Sequence, residues 1–261
     1  MRIMSAGVHG TFILRDIFIF ILFKDGERVH IRTDGDHLAA ITDLCDNAGP
    51  NSGGIDTWYA TISGKGGHGA HPDKTVDPFY LMSHVIIALN ALISRRINPF
   101  EPAVVSIGTI NGGFTQNVIP ESVSITGTLR FTDETVHQQI RAEMKRAFEI
   151  AKTLGGGYEL RFDYGGPPMI NDEVVAELIE KTGKDMLGTE NVHPIERTLG
   201  AEDFGEFLRH APGAMFTLGT QKAGHEEYLL HHPKFDLDER ALPIGTAMLV
   251  ETAKRFLNIE N

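Results

Sequence analysis

The order of hydrophobic periods between residues 55 and 165 constrains the fold of this chain more than any other feature. Its first segment, "IDTWYATISG", alternates apolar with polar residues, which is the period of a half-buried strand. The elements that follow are helices at 77–96 and 133–154 and strands at 102–112, 121–131 and 158–165. The order strand, helix, strand, strand, helix, strand predicts the ferredoxin-like split βαβ fold, an antiparallel sheet covered on one face by two helices.

End signals support both predicted helices. Asp77 and Pro78 are typical of a helix start, and Arg95 and Arg96 complement the dipole at the C-terminal end of the same helix. The second helix carries one apolar stripe, and a "GGG" break after it predicts where it ends. The stripe consists of Val136, Ile140, Met144, Phe148 and Ala151.

Two further regions flank this pattern. The segment "CDNAGPNSGG" (45–54) is a break without periodicity, and we take it as a domain boundary. The remainder, residues 166–261, predicts helices at 171–187, 201–210 and 238–257 and one buried strand at 213–219. Because one clear strand and three helices make a poor domain alone, this remainder is predicted to be half of an α/β domain.

Composition argues against several classes of function. The 261 residues carry a net charge of -11, which disfavours a nucleic-acid partner because phosphates need a basic surface. A single cysteine, Cys45, excludes a disulfide framework and fits a reducing cytoplasm, where we expect the protein to reside. The most apolar run, "IFIFILF" (17–23), is too short to cross a bilayer and predicts a buried strand, so no membrane partner is expected.

The segment "GKGGHGAHPDKTVDP" (64–78) carries the first candidate for chemistry, His68. Glycines on both sides allow close approach of the backbone to a ligand and a positive φ, which would leave the imidazole exposed at a strand end. An exposed histidine of this kind can donate a hydrogen bond to a developing oxyanion or to a carboxylate. The alternative is a turn histidine without a task, because Gly-His-Gly is a weak motif.

Four other residues are weaker candidates. Asn117, in "TQNVIP", can donate to a substrate carbonyl or carboxylate, or merely satisfy its own turn. Arg130 ends the next strand and can bind a substrate carboxylate, or form a surface ion pair. Glu202, in "GAEDF", stands at a predicted helix start, where an acidic residue also serves as a cap. His231, in "LLHHP", cannot hold zinc alone, since three or four ligands are needed.

Five segments occur together in an order that is typical of one known family. They are "GKGGHGAHPDKTVDP", "GGFTQNVIPESVSITGTLR", "LGAEDFGEFL", "PGAMFTLG" and "LHHPKFDLDERALPIGTAML". On these segments the chain resembles the metal-dependent amidohydrolases, a family that includes hippurate hydrolases, auxin-conjugate hydrolases, aminoacylases and related carboxypeptidases. The resemblance begins near residue 52 and extends to the C-terminus.

The resemblance implies a role for each candidate. Residues 55–165 look like the family's lid domain, which also makes the homodimer contact, and His68 matches the lid histidine that polarises the scissile carbonyl across the dimer. Asn117 matches the asparagine that holds the carboxylate end of the substrate. Glu202 lies in the motif that lines the catalytic pocket, and His231 matches a metal-ligand histidine. The implied reaction is hydrolysis of the amide bond of an N-acyl amino acid or small peptide, with a divalent metal, zinc or manganese.

One part of the family pattern is missing from this sequence. Family members carry a Cys-Gly-His-Asp-x-His segment, a paired-glutamate segment with the general base, and a further histidine ligand, none of which occurs here. Residues 1–54 are therefore predicted to be a degenerate remnant of the catalytic domain, in which "VHIRTDGDHLAA" would bring Asp34 and Asp36 near the site. Residues 166–261 would then be the C-terminal half of a zinc-peptidase-like catalytic domain.

The missing segments bear on activity. Because loss of a general base slows metal-assisted hydrolysis by orders of magnitude, we expect the amidohydrolase activity of this chain to be impaired and its metal to be weakly bound or absent. Two alternatives stay open. The chain could be a non-catalytic dimerising remnant, or it could be one half of a split amidohydrolase.

Overall fold

The computed structural model describes residues 16–22, 44–45, 48–194, 197–220, 226, 228 and 232–257. The chain divides into two units. We call Ser52–Met169 together with Thr198–Asp203 the lid unit. The flanking unit consists of the described parts of Met1–Asn51, Ile170–Arg197 and Phe204–Asn261.

The described residues form strands and helices with the following bounds. The strands are β1 (Asp16–Leu22), β2 (Leu44–Cys45), β3 (Gly49–Ser52), β4 (Gly54–Ser63), β5 (Gly67–His68), β6 (Ala103–Gly112), β7 (Val118–Ile119), β8 (Ser122–Phe131), β9 (Gly157–Gly166), β10 (Met169–Asn171), β11 (Val192–His193) and β12 (Gly213–Gly219). The α-helices are α1 (Pro78–Arg96), α2 (Glu134–Thr153), α3 (Glu173–Leu187), α4 (Phe204–Leu208) and α5 (Ala241–Phe256). Single 3-10 turns occur at Pro72–Lys74 and Thr189–Asn191.

The lid unit has the predicted ferredoxin-like fold. Four strands form one sheet in the order β6–β8–β4–β9, and each neighbouring pair is antiparallel. Helices α1 and α2 pack against each other and against this sheet. The predicted α/β class with an α+β lid is confirmed, and the predicted lid, residues 55–165, lies within this unit. The assignment of a remnant, a lid and a catalytic half to three separate domains stays a prediction.

The buried face of the sheet follows the alternation in the sequence. Trp58, Ala60 and Ile62 of β4 are buried, and they belong to one core with the α2 stripe, all five residues of which are buried as predicted. The indole of Trp58 lies against Gly127 of β8, where a Cβ atom would come within 2.5 Å of the ring. Glycine is therefore required opposite the chain's one tryptophan.

Aspartate caps set where the two lid helices begin. Asp77 Oδ1 accepts a hydrogen bond from Phe79 N at 2.8 Å, and Asp133 Oδ1 accepts one from Thr135 N at 2.7 Å. Each helix therefore begins one residue after its predicted first residue, because the capping aspartate itself stays extended. Gly155 follows α2 with a φ of 93°, which confirms the predicted glycine end of that helix.

Helix α1 is long and apolar enough to cross a membrane when judged by length and composition alone. Part of its apolar surface is buried within the lid unit, through Pro78, Leu81, Met82, Val85, Leu89 and Leu92. A core helix passes the same test, so the finding carries little weight. The expected lack of a membrane partner stays a prediction.

The flanking unit contains a second sheet, with the strand order β1–β12–β2–β11. The predicted strand at 17–23 is observed as β1, and the predicted strand at 213–219 is observed as β12. Helices α3 and α5 contribute buried residues to one apolar core with β12. Helix α4, Phe204–Leu208, is shorter than the predicted 201–210 at both ends.

Candidate functional site

A short antiparallel ladder brings His68 beside Asn117. Strands β5 and β7 pair Gly67 with Ile119 and His68 with Val118, and Gly69 N donates to Asn117 O at 2.8 Å. Both candidate side chains are exposed. The two residues, which the sequence separates by almost fifty positions, therefore lie close together at one end of the lid sheet, His68 on β5 and Asn117 in the turn directly before β7.

Hydrogen bonds within the loop that carries His68, residues 64–78, join its two ends. Lys65 and Val76 exchange two backbone hydrogen bonds, at 2.9 and 3.0 Å, so the loop closes on itself. At the end of its 3-10 turn, the Thr75 hydroxyl donates to Pro72 O at 2.8 Å. The position of His68 is therefore set by backbone contacts on both sides of the residue.

The glycines around His68 have a different role from the one predicted. Within the described chain, positive φ values occur at other glycines and at none in the 64–69 segment, so the expected left-handed conformation is wrong. These glycines instead permit close packing. A Cβ atom at Gly64 would lie 2.0 Å from Val76 O, and one at Gly69 would lie 3.0 Å from Asn117 O.

A local contact orients the imidazole of His68. Ala70 N donates a hydrogen bond to His68 Nδ1 at 3.0 Å. Because Nδ1 acts as the acceptor, the proton of the neutral ring resides on Nε2. Nε2–H is thus the group that can donate to a ligand, as the sequence predicted for an exposed histidine.

A neighbouring hydroxyl orients the amide of Asn117. Thr115 Oγ1 donates to Gln116 Oε1 at 3.1 Å and to Asn117 Oδ1 at 3.3 Å. The amide oxygen is thereby engaged, and Nδ2 forms no hydrogen bond within the described residues. Asn117 therefore presents a donor to a ligand, as His68 does. The sequence analysis did not single out Thr115, since no local pattern signals a contact between these two side chains.

Arg130 lies at the other end of the lid sheet. It pairs with Ile55 and Val104 on the neighbouring strands, eight residues beyond Ser122. At about 3.4 Å per residue, roughly 27 Å of strand separates Arg130 from the end of β8 that adjoins His68 and Asn117. The structure therefore does not bring Arg130 together with these two residues within one chain.

The guanidinium of Arg130 is half-buried, and burial lowers the pKa of Arg130. No ion pair or hydrogen bond of this side chain occurs within the part of the chain that the structure describes. Arg130 therefore does not form, with any described residue, the surface ion pair that the sequence offers as an alternative to substrate binding. A desolvated cation without a partner is a good receptor for a carboxylate.

Glu202 lies at the same end of the lid unit as Arg130. Its segment, Thr198–Asp203, is attached by a hydrogen bond from Gly53 N to Gly200 O at 2.8 Å, just before β4 begins. Glu202 is half-buried and makes contacts of its own. Helix α4 starts only at Phe204, so Glu202 precedes the helix rather than standing in its first turn.

The predicted metal ligand cannot be placed in the structure. His231, like Asp34 and Asp36, lies outside the described residues, so its role stays a prediction. Among the residues that are described, no three side chains of His, Cys, Asp or Glu come together in a way that could hold a metal ion. The described residues therefore do not assemble a metal site by themselves.

The comparisons with known proteins agree with the fold of the lid unit. A family model, the M20 peptidase dimerisation domain, matches residues 52–152. The chain carries an M20 dimerisation domain. The β5–β7 ladder with His68 and Asn117 lies within this domain, and the predicted resemblance to the amidohydrolase and carboxypeptidase family is confirmed.

Relatives of the chain include proteins from bacteria and plants that are named as enzymes. N-acetyl-L-cysteine deacetylase of Bacillus subtilis is 35% identical over 214 residues, which cover 80% of this chain and 49% of that protein. IAA-amino acid hydrolase ILR1-like 4 of Arabidopsis thaliana is 32% identical over 225 residues, which cover 84% of this chain and 51% of that protein.

A solved structure is similar as well. The Bacillus subtilis YXEP protein, described as a dinuclear metal binding peptidase from the M20 family, aligns with a TM-score of 0.67 and 28% identity. The alignment covers 84% of this chain and 54% of that one. The chain thus spans about half the length of the relatives that it matches.

Proposed function

We propose that this chain takes part in metal-dependent hydrolysis of the amide bond of N-acyl amino acids or small peptides, as the M20 lid-bearing part of an amidohydrolase. The observation that carries the proposal is the pair of exposed donors at the β5–β7 ladder, His68 on β5 and Asn117 directly before β7. The activities named for the relatives, a deacetylase and an amino acid hydrolase, support the same class of bond.

The two donors suit the two ends of such a substrate. Nε2–H of His68 would donate to the scissile carbonyl and to the oxyanion that forms on it, which is a common means of lowering the barrier in acyl transfer. The Asn117 amide would hold the carboxylate of the amino acid. A divalent metal, zinc or manganese, would supply the activated water when bound, with His231 as one ligand by resemblance.

A homodimer through the lid unit is part of the proposal. The two edges of the lid sheet differ, because β9 carries Glu159, Arg161 and Asp163, whereas β6, "AVVSIGTING", carries no charged residue. Charged side chains protect a sheet edge from pairing, and an uncharged edge of ten residues invites it. We therefore assign the contact between two copies to β6.

The distance along β8 also favours two copies. One small substrate cannot reach both Arg130 and the His68–Asn117 pair of a single lid across roughly 27 Å. If Arg130 binds substrate, the donors beside it must come from a second chain. Glu202, near Arg130, would then line the same pocket. We also propose that the protein resides in the cytoplasm, because a chain with a single cysteine suits a reducing compartment.

One observation favours a different role. The sequence lacks the Cys-Gly-His-Asp-x-His segment and the paired-glutamate segment of the family pattern, and this fits a non-catalytic dimerising remnant or one half of a split amidohydrolase. A stable dimer without hydrolysis would favour the remnant. Activity restored by a separate metal-binding chain would favour the split enzyme.

The decisive experiment measures metal content and hydrolysis on the purified chain, with and without added zinc or manganese. Because the family's general base is missing from this sequence, we expect slow release of amino acid from N-acyl substrates, and we expect His68→Ala to lower kcat by a further factor of about 10²–10³, the usual effect of removing one oxyanion donor. His84→Ala, a histidine on α1 that is not part of the ladder, is the matched control and should leave the rate unchanged. Protein that binds no metal and releases no amino acid would refute the activity.

A further inference from the structure

A cluster of four ionisable side chains lies inside the lid unit, at the end of the sheet that carries Arg130. Asp56 of β4 and His137 of α2 are almost fully buried, and His137 Nε2 lies 2.8 Å from Asp56 Oδ2. At the other ring nitrogen, His137 Nδ1 lies 3.1 Å from Glu134 Oε1. Arg141 Nε donates to Asp56 Oδ2 at 2.6 Å. The proposed function uses none of these four groups.

The contacts of the His137 ring determine how many protons it carries. A neutral imidazole has one N–H and one lone pair, so it can donate to only one of two carboxylates that face its two nitrogens. Glu134 Oε1 also accepts from Gln138 Nε2 at 2.6 Å, as an ionised carboxylate does. A proton on Asp56 Oδ1 would lack an acceptor, because this buried atom has no hydrogen-bond partner among the described residues. The ring therefore donates from both nitrogens.

The charges of the cluster balance only when the ring is charged. Asp56 and Glu134 supply two negative charges, and Arg141 supplies one of the two positive charges that oppose them. A neutral ring would leave an excess negative charge beside the buried Asp56 carboxylate, which is costly in the interior. Tyr164 of β9 also faces the ring, with the centroids 6.0 Å apart, but a tyrosine hydroxyl adds no charge at neutral pH.

Charged groups on α1 do not change this balance. Arg96, in the last turn of α1, pairs with Glu143, which lies six residues beyond His137 on α2. The positive charge that completes the cluster therefore comes from the His137 ring itself.

The His137 ring also connects the cluster to the end of β8. It stacks on Phe131, with the ring centroids 3.9 Å apart and the planes within 6° of each other. Phe131 is buried, follows Arg130 directly and pairs with Gly54 at the start of β4. A Cβ atom at Gly54 would lie 2.5 Å from the Phe131 ring, so no space for a side chain remains between them. The stack thus fixes the strand end that carries Arg130.

We propose that His137 is an imidazolium at neutral pH, that its two hydrogen bonds hold the Arg130 end of the lid together, and that this end loosens when the ring loses a proton. The inference goes beyond the proposed function and requires neither metal nor substrate. Loss of a ring proton sets a nitrogen lone pair against a carboxylate oxygen. The contribution of the cluster to stability is therefore present at low pH and is lost as pH rises through the range in which the folded chain releases this proton.

Nitrogen-15 NMR of the full chain tests the protonation state. The two nitrogens of an imidazolium resonate close together, whereas a neutral ring gives two widely separated signals. His137, assigned through its backbone, should show the imidazolium pattern at neutral pH. Glu134→Gln, at a position whose side chain is 60% exposed, removes one carboxylate charge, so the ring should lose its proton at lower pH in this variant. A neutral pattern in the wild-type chain, or an unchanged titration in Glu134→Gln, overturns the proposal.

Urea unfolding at a series of pH values tests the effect on stability. Where the folded chain holds one proton more than the unfolded chain, the unfolding constant rises about tenfold per pH unit. Above about pH 7 the wild-type chain should therefore lose stability more steeply than His137→Gln, which has no ring to titrate. His84→Gln removes a histidine of α1 outside the cluster and should keep the wild-type dependence. Parallel curves for the wild-type chain and His137→Gln overturn the proposal.

Amide hydrogen exchange tests where the lid loosens. After correction for the intrinsic pH dependence of exchange, protection at Leu129 and Phe131 should fall as the ring titrates. Protection at Val123 and Ile125, toward the other end of β8, should not fall with it. A uniform loss of protection along β8, or no loss at Phe131, overturns the assignment of the loosening to the Arg130 end.

Discussion

His137 Nε2 lies 2.8 Å from Asp56 Oδ2 in the interior of the lid unit, and both side chains are almost fully buried. Arg141 Nε donates to the same carboxylate oxygen at 2.6 Å. The His137 ring stacks on Phe131, with the ring centroids 3.9 Å apart. This network joins β4 to α2 through side chains that are 81 residues apart.

Removal of Asp56 should destabilise the lid unit strongly. Asp56→Ala leaves the Arg141 cation and the buried imidazole without their acceptor, and breaking a buried pair in this way costs about 3–5 kcal/mol. The free energy of unfolding in urea measures the effect. Asp163→Ala, which breaks an exposed pair with Arg161, is the control and should cost less than about 1 kcal/mol. An equal loss in the free energy of unfolding for the two variants would show that the buried Asp56 network stabilises the lid no more than an exposed ion pair does.

A methyl group at position 127 should disrupt the lid core. In Gly127→Ala the added Cβ meets both the Trp58 indole and Ser106 O, so the free energy of unfolding should fall by about 1–3 kcal/mol. Trp58 fluorescence reports the same transition. Gly108→Ala is the matched control on the adjacent strand, since its Cβ would meet only Thr126 O at 3.7 Å. Equal free energies of unfolding for the two variants would show that the close contact at Gly127 does not exclude a larger side chain there.

The ion pair between the lid helices should make stability depend on pH. Arg96 Nε donates to Glu143 Oε2 at 2.9 Å, and this hydrogen bond, with the charge of Arg146 nearby, lowers the pKa of Glu143 below its ordinary value of 4.5. A carboxyl whose pKa is lower in the folded state stabilises the fold above the ordinary value. That contribution is lost as pH falls through the folded-state pKa. Urea unfolding from neutral to acidic pH should therefore show a flatter pH dependence in Glu143→Gln than in the wild-type chain, and identical slopes would refute the assignment.

A charge on the β6 edge should separate the proposed dimer. Val104→Lys places an ammonium on the uncharged edge strand, where it would oppose pairing with a second copy. We expect sedimentation velocity to show a shift from dimer to monomer. Glu159→Lys introduces the same side chain on the opposite edge, β9, and should leave the dimer intact. A dimer that survives Val104→Lys but not Glu159→Lys would show that the contact lies on β9 and not on β6.

The lid fold could be predicted from the sequence because each of its strands and helices carries a local sequence signal. Trp58 and Ile62 alternate with polar neighbours, and Asp77 and Asp133 cap their helices within three residues. The Asp56–His137 pair could not be predicted, since no local pattern relates residues so far apart in the chain. The distance between Arg130 and Asn117 also required the structure, because it depends on the length and direction of β8.

The site was predicted only in part, for a similar reason. The sequence indicated His68 and Asn117 as separate candidates, but their proximity results from the register of the β5–β7 ladder. Gly66, Phe114 and Pro120 line one cleft near this ladder, and no periodicity in the sequence predicts that they come together. His231 stays a prediction because it lies outside the described residues.

The Lys65–Val76 closure of the 64–78 loop has an energetic consequence for any ligand of His68. A loop fixed by internal hydrogen bonds has already lost its backbone freedom when the chain folds, so a binding event need not restrict that freedom again. Affinity at this histidine should then reflect the contacts that the ligand makes, and association should proceed without a slow rearrangement of the loop.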